Sequence, residues 1–486
     1  MTKLYELLNI KHPEMENKEW QFKFLEDSYT GEGGYAWAKP VSDSSTFGKG
    51  NKQNLNYSYD SNYLDRFFAE RKDAFVDRLH ATTYINYIKP IIDLYNDFLF
   101  RRSASRKTNK AELQNWLVNN DIVDIVSKIM HDAQLYGTGY LLLDVENFQA
   151  DNFQDAIDGG FNGIYPNRIN PKDVLGWKLN DDASFEWFKY RVTTVNLANP
   201  IAEPEYKTTW VIWYPDKYQV FEMIENNEED KDAALIIEGA NPFGVVPIVP
   251  LKYQEAEDGS FLGESQVLAT ARLNKDYYNR LSELVTILRS QTFSILVLPV
   301  PEGTAQNSQL DIGPNNIITV ENTSQVKPEF ISGDSANADI YEKRLFELQN
   351  EILRVSSLEW MKSLMTGRLQ GNVSSGDSRR FSFSMTNSKL VKMGKQAELF
   401  ELRMMEIIAS YYGIESDYDV NYPQDYEISA GLNNIEALKE AINVGMPKVI
   451  VDKLLLKAGQ QLTYLGQDEL ELAEKELNQL PDTDTA

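Results

Sequence analysis

One stretch of the chain, residues 261–293, carries apolar side chains on a single helical stripe. Tyr277, Leu281, Leu284 and Leu288 follow one another at intervals of four, three and four, which predicts a long amphipathic helix. Its opposite face is polar and holds Asn274, Asp276, Asn279, Arg280 and Glu283.

A second stretch, residues 337–357, repeats this spacing from Tyr341 to Val355. Between the two helices, short apolar runs at 295–298 and 317–320 stand among prolines and glycines, which indicates strands and turns. We therefore predict a helical hairpin with a small β-rich tip. Both stripes are narrow, which favours packing of the helices on each other and on neighbouring copies.

Other parts of the chain also have helical periodicity. These stretches are 60–100, 110–136, 381–412 and 432–478. The first is expected to be one long helix or two joined helices. Pro90 is expected to kink or divide the first of them, Gly137 and Gly139 to end the second, and Gly445-Met446-Pro447 to interrupt the last. Residues 1–58 are irregular, so an extended N-terminal arm is predicted there.

The section after Gly139 has the pattern of strands rather than helices. Strands are predicted at 140–145, 163–165, 173–178, 185–195, 206–214, 218–224, 234–238 and 419–422. Pro215-Asp216 favours a hairpin, and the section closes at 247–251. The expected fold class is α+β and mainly helical, with an elongated subunit.

Composition narrows the function classes. The chain has no cysteine, so disulfides, thiolate nucleophiles and cysteine-ligated zinc are excluded. No signal peptide is visible, and the longest apolar runs are too short for a bilayer, so a soluble protein is expected. The net charge of −25 fits either plain solubility or a surface that DNA passes without sticking.

Two stretches reverse this acidity. Residues 361–397 contain seven basic residues and one acid, Asp377; the basic residues are Lys362, Arg368, Arg379, Arg380, Lys389, Lys392 and Lys395. A shorter basic stretch holds Arg101, Arg102, Arg106, Lys107 and Lys110. Both stretches fit pairing with acids of neighbouring subunits, or contact with a polyanion.

Catalytic motifs are missing from the sequence. It has no GxxxxGK[ST] loop, no GxSxG elbow and no HExxH pair among its three histidines. Acids cluster at Asp151, Asp155 and Asp158 and again at Asp181 and Asp182, as 73 acids would produce by chance. We expect no catalytic residue, no metal site and no cofactor. A metal-dependent nuclease or other DNA-processing enzyme is kept as the alternative.

Several stretches, in this order, resemble the portal proteins of tailed bacteriophages, which are head-to-tail connectors. The matching stretches are YGTGYLLLDV from Tyr136, RINPKDVLGWKL from Arg168, NPFGVVPIVPL from Asn241, GESQVLATARLNKDYYNRLSELV from Gly263 and EALKEAINVGMPK near the end. The resemblance covers residues 60–460. NVSSGDSRRFSF is only a loose version of the family's Ser-Gly segment.

The resemblance implies a portal-type subunit with wing, stem, clip and crown. Its parts would be the arm 1–58, the wing 59–260, stem helices 261–293 and 337–357 around a clip 294–336, a tunnel loop 358–380, a long wing helix and strand 381–430, and crown helices with a tail 431–486.

It also implies functional residues. Those of the DNA-facing tunnel loop would be Arg368, Gln370, Asn372, Ser374, Ser375, Arg379 and Arg380. Those of the clip, facing terminase or adaptor, would be Glu302, Gln306, Gln309, Asp311 and Asn315.

The implied protein is a non-enzymatic virion component that sits at the capsid vertex after assembly in the host cytoplasm. It would form a homo-oligomeric ring of about twelve copies and conduct double-stranded DNA without sequence readout. Its partners would be the terminase large subunit, head-tail adaptor or neck proteins, and capsid and scaffold proteins, with no membrane. The polar faces of the stem helices are expected to meet the DNA. Another ring-forming neck or capsid component is a further alternative.

Overall fold

The computed structural model describes most of the chain. The described residues are 3–35, 63–68, 70–145, 163–196, 205–225, 231–292, 295–300, 317–321, 329–331, 336–361 and 376–426, with the fragments 438–440, 444, 451–452, 455 and 475. The chain forms two compact units. The first comprises Met1–Phe22, Ile92–Gln266 and Leu369–Ala486, and the second comprises Lys23–Ile91 and Val267–Arg368.

The secondary structure mixes helices and strands, as predicted, and the α+β fold class is confirmed. The helices are α1 Leu4–Leu8, α2 Pro13–Thr30, α3 Lys72–Ala81, α4 Ile88–Phe100, α5 Ala111–Asn119, α6 Ile122–Tyr136, α7 Leu268–Thr292, α8 Ala336–Val355 and α9 Gly376–Tyr411. The strands are β1 Ser105–Lys107, β2 Thr138–Val145, β3 Ile164–Ile169, β4 Val174–Leu179, β5 Phe185–Asn196, β6 Glu205–Trp213, β7 Lys217–Glu225, β8 Lys231–Ala240, β9 Ile248–Lys252, β10 Ile295–Val300, β11 Ile317–Glu321, β12 Glu329–Ile331 and β13 Asp419–Asn421.

The prediction of an extended arm over residues 1–58 is wrong for its first part. Residues 4–30 form α1 and α2, and a 3₁₀ turn follows at Gly33–Tyr35. Met15, Phe22 and Leu25 are buried at helical spacing, but Glu, Lys and Asn surround them and dilute the pattern. The rest of the predicted arm, residues 36–58, lies outside the described residues.

The helical stretch predicted at 60–100 consists of two helices, one of the two forms expected, and the stretch predicted at 110–136 is divided. Residues 82–87 separate α3 from α4, and Pro90 lies in the first turn of α4, where a missing N–H costs nothing because it has no intrahelical partner. Pro90 therefore does not kink the helix. The 110–136 stretch splits into α5 and α6 because the Asp121 side chain accepts the N–H of Asp124 at 3.1 Å and caps a new helix.

The first unit contains two larger antiparallel sheets. One has the order β3-β2-β9, and the other is the meander β4-β5-β6-β7-β8 with a hairpin at Pro215-Asp216, as predicted. One face of the meander is covered by α1, where Leu8 packs with Leu175, Trp210 and Ala233. The short strand β1, which the sequence did not predict, pairs with the predicted strand β13.

The second unit contains the predicted hairpin. Leu345 and Leu348 of α8 pack on Tyr277 and Leu284 of α7. The two helices are antiparallel, since Gln349 bonds Tyr277 while the earlier Tyr341 bonds the later Glu283. Between them β10 pairs in parallel with β11 and antiparallel with β12, so the β-rich insertion is confirmed. Helix α7 begins at Leu268, seven residues later than predicted.

Candidate functional site

Most of the predicted site residues lie outside the described part of the chain. These are all the clip residues, Glu302, Gln306, Gln309, Asp311 and Asn315, and the loop residues Arg368, Gln370, Asn372, Ser374 and Ser375. Helix α9 begins at Gly376, so the loop predicted to run to residue 380 ends earlier, and Arg379 and Arg380 belong to the helix.

The basic stretch around Arg106 has an internal partner. The Arg106 guanidinium donates to both carboxylate oxygens of Glu401, at 2.9 and 2.8 Å. The Glu401 side chain is fully buried and that of Arg106 is 13% exposed. Arg102 donates to the carbonyl of Asp425. Contact with a polyanion is therefore excluded for Arg106, whose pairing lies within one chain and not between subunits.

Two tyrosines complete this buried network. Tyr418 and Tyr422 each donate a phenolic hydrogen bond to Glu401, at 2.7 and 2.6 Å. Burial, followed by the negative charge of Glu401, raises the pKa of both hydroxyls, so they stay protonated donors. The network ties β1, α9 and β13 together. Nothing in the sequence predicts it, because Arg106 and Glu401 lie far apart along the chain.

The lysines of α9 have varied surroundings. Burial lowers the pKa of Lys389, and Lys392 donates to the Gln254 side chain at 3.2 Å. Lys395 is exposed. Lys392 and Lys395 are exposed and Lys389 is half-buried, so the described part of the basic stretch leaves two lysine charges at the surface.

The polar face of α7 is only partly exposed, which corrects the expectation that it meets DNA. Asn274 and Asn279 are buried. Asn274 donates to the Tyr84 hydroxyl at 2.6 Å. Asn279 donates to the carbonyl of Tyr63 and accepts the N–H of Asp65. Both amides hold other segments of the second unit and are unavailable to any ligand.

Arg78 also contacts α7, at Ser282. It donates to Glu70 and to the Ser282 hydroxyl, and its guanidinium lies 4.1 Å from the centre of the Phe67 ring. Burial acts to raise the pKa of Glu70, but hydrogen bonds from Arg78 outweigh it and lower the pKa. Arg78 therefore anchors residues 65–70 on the helix.

The hairpin keeps two large apolar side chains in solvent. Ile340 is 62% exposed and Phe346 is 52% exposed, although both belong to α8. At about 100° per residue they lie about 120° apart, on either side of a solvent-facing polar strip that contains Lys343. Neither belongs to the stripe that packs on α7. The sequence analysis did not single out these two residues, although their positions outside the apolar stripe of α8 can be read from the sequence.

Two of the stretches that resemble portal proteins meet in the first unit. Gly137 ends α6 with a φ of +96°, and Gly263 lies against its backbone. The Gly263 N–H donates to the Thr138 hydroxyl at 2.9 Å, and the Tyr253 N–H donates to the Gly137 carbonyl at 3.0 Å. The YGTGY and GES stretches thus form one tight backbone junction where side chains have no room.

This junction makes Gly137→Ala strongly destabilising. An added Cβ would lie well inside contact distance of the Gly263 carbonyl, so we expect a loss of about 2 kcal/mol or more in the free energy of unfolding. Gly413→Ala is the matched control, because Gly413 follows α9 at a φ of +66° with open space around it. Urea unfolding measures both; equal losses would show that crowding at Gly137 contributes nothing.

Comparisons with known proteins give a loose structural likeness. No family model and no curated protein matches the sequence. Among solved structures, a chain from the neck of an empty GTA particle computed with C6 symmetry has a TM-score of 0.40 and 8% sequence identity, covering 78% of this chain and 95% of that chain. A TM-score of 0.40 is too low to transfer a fold family or a function.

Neither a metal cluster nor a membrane span is found within the described ranges. No three His, Asp or Glu side chains of the described residues are placed to share a metal ion. No helix in the same part of the chain has the length and apolarity to span a bilayer. The acids at 151, 155 and 158 lie outside these ranges.

Proposed function

We propose that this chain is a portal-type subunit, which forms a ring-shaped channel for double-stranded DNA at the vertex of a phage-like capsid. The observation that supports this best is the α7–α8 hairpin. Its helices use their apolar stripes on each other and still expose Ile340 and Phe346 on the two flanks of α8. Burying these two side chains against neighbouring copies would remove their apolar surface from water.

Two separate exposed residues fit a ring better than a two-fold dimer. In a ring that closes head-to-tail, each subunit presents one surface to the preceding copy and a different surface to the next. Ile340 and Phe346 lie on the two flanks of one helix, an arrangement that lets each flank face a different neighbour. The ring therefore has the hairpins side by side around a central channel.

Electrostatics give the channel its proposed mode of action. A net charge of −25 per subunit repels the phosphate backbone and prevents long residence. Cations at Arg368, Arg379 and Arg380, repeated around the ring, centre the duplex without reading its sequence. The sequence has no ATP-binding loop, so a terminase supplies the work. Adaptor or neck proteins and capsid and scaffold proteins are the other proposed partners.

The direct test is the assembly state of the purified full chain. Light scattering is expected to give a mass many times 55.6 kDa, and electron microscopy should show rings with a central hole. A strict monomer at high concentration would overturn the proposal, and a ring without a narrow stem would favour another neck or capsid component.

A DNA cleavage assay tests the alternative that the protein is an enzyme. The purified protein is incubated with double-stranded DNA and Mg²⁺ or Mn²⁺, with EDTA as control. A metal-dependent nuclease would cut the DNA in proportion to protein concentration. We expect no cleavage above the EDTA background.

The tunnel-loop prediction is tested by replacing Arg368, Arg379 and Arg380 with alanine together. Rings should still form, because the three side chains are assigned to DNA and not to the interface. Particles built with this variant are expected to hold less DNA, measured as DNA mass per particle against wild type. Lys395→Ala, on the same basic stretch, is the control; unchanged DNA content in the triple variant would remove these arginines from the channel.

A further inference from the structure

A short segment of the second unit, formed by residues 63–68 and 70–71, presents a phenylalanine to solvent. Phe68 in this segment is fully exposed. The neighbouring Phe67 differs, because the guanidinium of Arg78 lies over its ring at 4.1 Å from the centre. Burying an aromatic side chain removes a large apolar area from water, and aromatic residues are common energetic centres of protein interfaces. Phe68 is therefore a suitable anchor for a contact with another molecule.

Hydrogen bonds fix the backbone on both sides of this anchor. Asn279 of α7 accepts the N–H of Asp65 at 2.7 Å, and the Glu70 carboxylate accepts the N–H of Phe67 at 3.0 Å. The Glu70 N–H donates to the Phe67 carbonyl at 3.1 Å, which closes a turn around Phe68. A side chain on a fixed backbone loses less conformational freedom when it binds, so the segment is preorganised for contact.

The segment and α8 lie on different sides of α7. Asn279 holds the segment, and at about 100° per residue this position points about 150° away from the stripe of Tyr277 and Leu284 that packs on α8. Helix α7 therefore separates the segment from α8. The exposed phenylalanines of these two elements, Phe68 and Phe346, suit a contact between different copies of the chain.

The segment that carries Phe68 has a positive surface. Each of its acids is paired with a cation from a neighbouring helix; the pairs are Asp65 with Lys275 at 3.3 Å and Glu70 with Arg78 at 2.8 Å. Arg66 and Arg71 of the segment are both exposed, so their charges exceed what these pairs cancel. An acidic surface with an exposed apolar side chain would therefore complement the segment.

The Phe346 flank of α8 is a surface of this kind. Asp339 and Glu342 are exposed, and they lie about two turns and one turn before Phe346 on the same side of the helix. Lys343, on the strip between the two flanks, offsets only one of these negative charges. This flank therefore combines an exposed aromatic ring with a net negative charge.

The Ile340 flank of the same helix is balanced in charge. Its carboxylates are paired with cations of α8; the pairs are Glu347 with Arg344 at 3.5 Å and Glu351 with Arg354 at 2.7 Å. It offers no comparable attraction to Arg66 and Arg71. Charge therefore selects the Phe346 flank as the complement of the segment.

We infer that Phe68 of one subunit packs against Phe346 of a neighbouring subunit, with Arg66 beside the carboxylates of Asp339 and Glu342. The inference rests on the proposed ring and names the two different surfaces that one of its head-to-tail contacts joins. The two rings bury apolar faces and gain from packing on each other. The opposite charges around them determine which flank of α8 is used.

A charge reversal tests the contact without removing either ring. Arg66→Glu is expected to lower the fraction of assembled chains, measured by light scattering, because two acidic surfaces then meet. Adding Glu342→Lys to the same chain should restore part of the assembly. Adding Glu347→Lys instead, on the other flank of α8, is the control and should restore less. Equal recovery by both would show that only net charge matters and would overturn the inference.

Cysteine cross-linking tests the same contact by position, because the chain has no cysteine of its own. A full-length chain with Phe68→Cys is co-expressed with a differently tagged chain that carries Phe346→Cys. The protein is treated with a short bismaleimide and then denatured, so that only covalently joined chains keep both tags. Phe68→Cys with Ile340→Cys is the matched control. We expect about tenfold more two-tag product for the Phe346 pair, since groups held in contact have a high effective concentration.

A two-tag yield no greater than that of the control pair would contradict the inference. One chain that carries both Phe68→Cys and Phe346→Cys should give covalent ladders of several subunits, and products joined only within single chains would contradict it as well. Electron microscopy separates this inference from the ring proposal. Rings without the preferred cross-link leave the ring proposal standing, whereas a monomeric wild-type chain refutes both.

Discussion

Ile340→Asp and Phe346→Asp are each expected to abolish ring formation while the subunit stays folded. Both side chains are more than half exposed in the single subunit, so a carboxylate there costs little in the folded monomer. In the ring the same carboxylate would be buried without a partner, and the resulting desolvation penalty opposes association. The expected change is from a particle of many subunits to a 55.6 kDa monomer.

Light scattering measures the mass, and circular dichroism checks that the helices are retained. Asn350→Asp is the control, since it adds the same charge to the polar strip of α8 between the two flanks. It should leave rings intact. Intact rings in both flank variants would mean that the hairpin flanks are not the subunit interface. Loss of rings in Asn350→Asp as well would mean that charge alone prevents assembly.

Glu401→Leu is expected to be the most destabilising single substitution in the first unit. It removes the only carboxylate that the described contacts give to the Arg106 charge and leaves the hydroxyls of Tyr418 and Tyr422 without their acceptor. Breaking one side of a buried ion pair costs about 3–5 kcal/mol in the free energy of unfolding. The effect follows from burial, since the Glu401 side chain has no exposed surface.

The urea midpoint of the unfolding transition tests this prediction. Glu406→Leu on the exposed side of the same helix is the control and should cost little. The double variant Arg106→Met with Glu401→Leu should recover part of the loss, because no buried charge then remains unpaired. A double variant as unstable as Glu401→Leu alone would show that the tyrosine hydroxyls, and not the ion pair, account for the effect.

Periodicity in the sequence predicted the elements whose apolar pattern is strong. Helix α8, the end of α7 and most strands of the meander lie close to their predicted bounds, since each pattern reports local burial on one face. Helix α2 was missed because its buried apolar residues, Met15, Phe22, Phe24 and Leu25, stand among many polar residues. The division at Asp121 was missed because a cap takes a single residue and interrupts no hydrophobic stripe.

The burial and the partners of polar residues could not be predicted from periodicity. Asn274 and Asn279 read as a solvent-facing strip of α7, yet Tyr84 and the backbone at Tyr63 and Asp65 cover them. Arg106 read as part of a basic patch, yet it pairs with Glu401. In each case the partner comes from a distant part of the chain, and a local charge count carries no information about it.

The two larger sheets of the first unit differ in how their strands follow one another along the chain. In the meander each strand pairs with the strand that comes next, whereas β2 pairs with β9 more than 100 residues later. Sequential pairings close short loops and form early, while distant ones form late. During synthesis one edge of β2 therefore stays unpaired until the meander and β9 have left the ribosome. During this interval the open edge of β2 can pair with another chain, which favours aggregation.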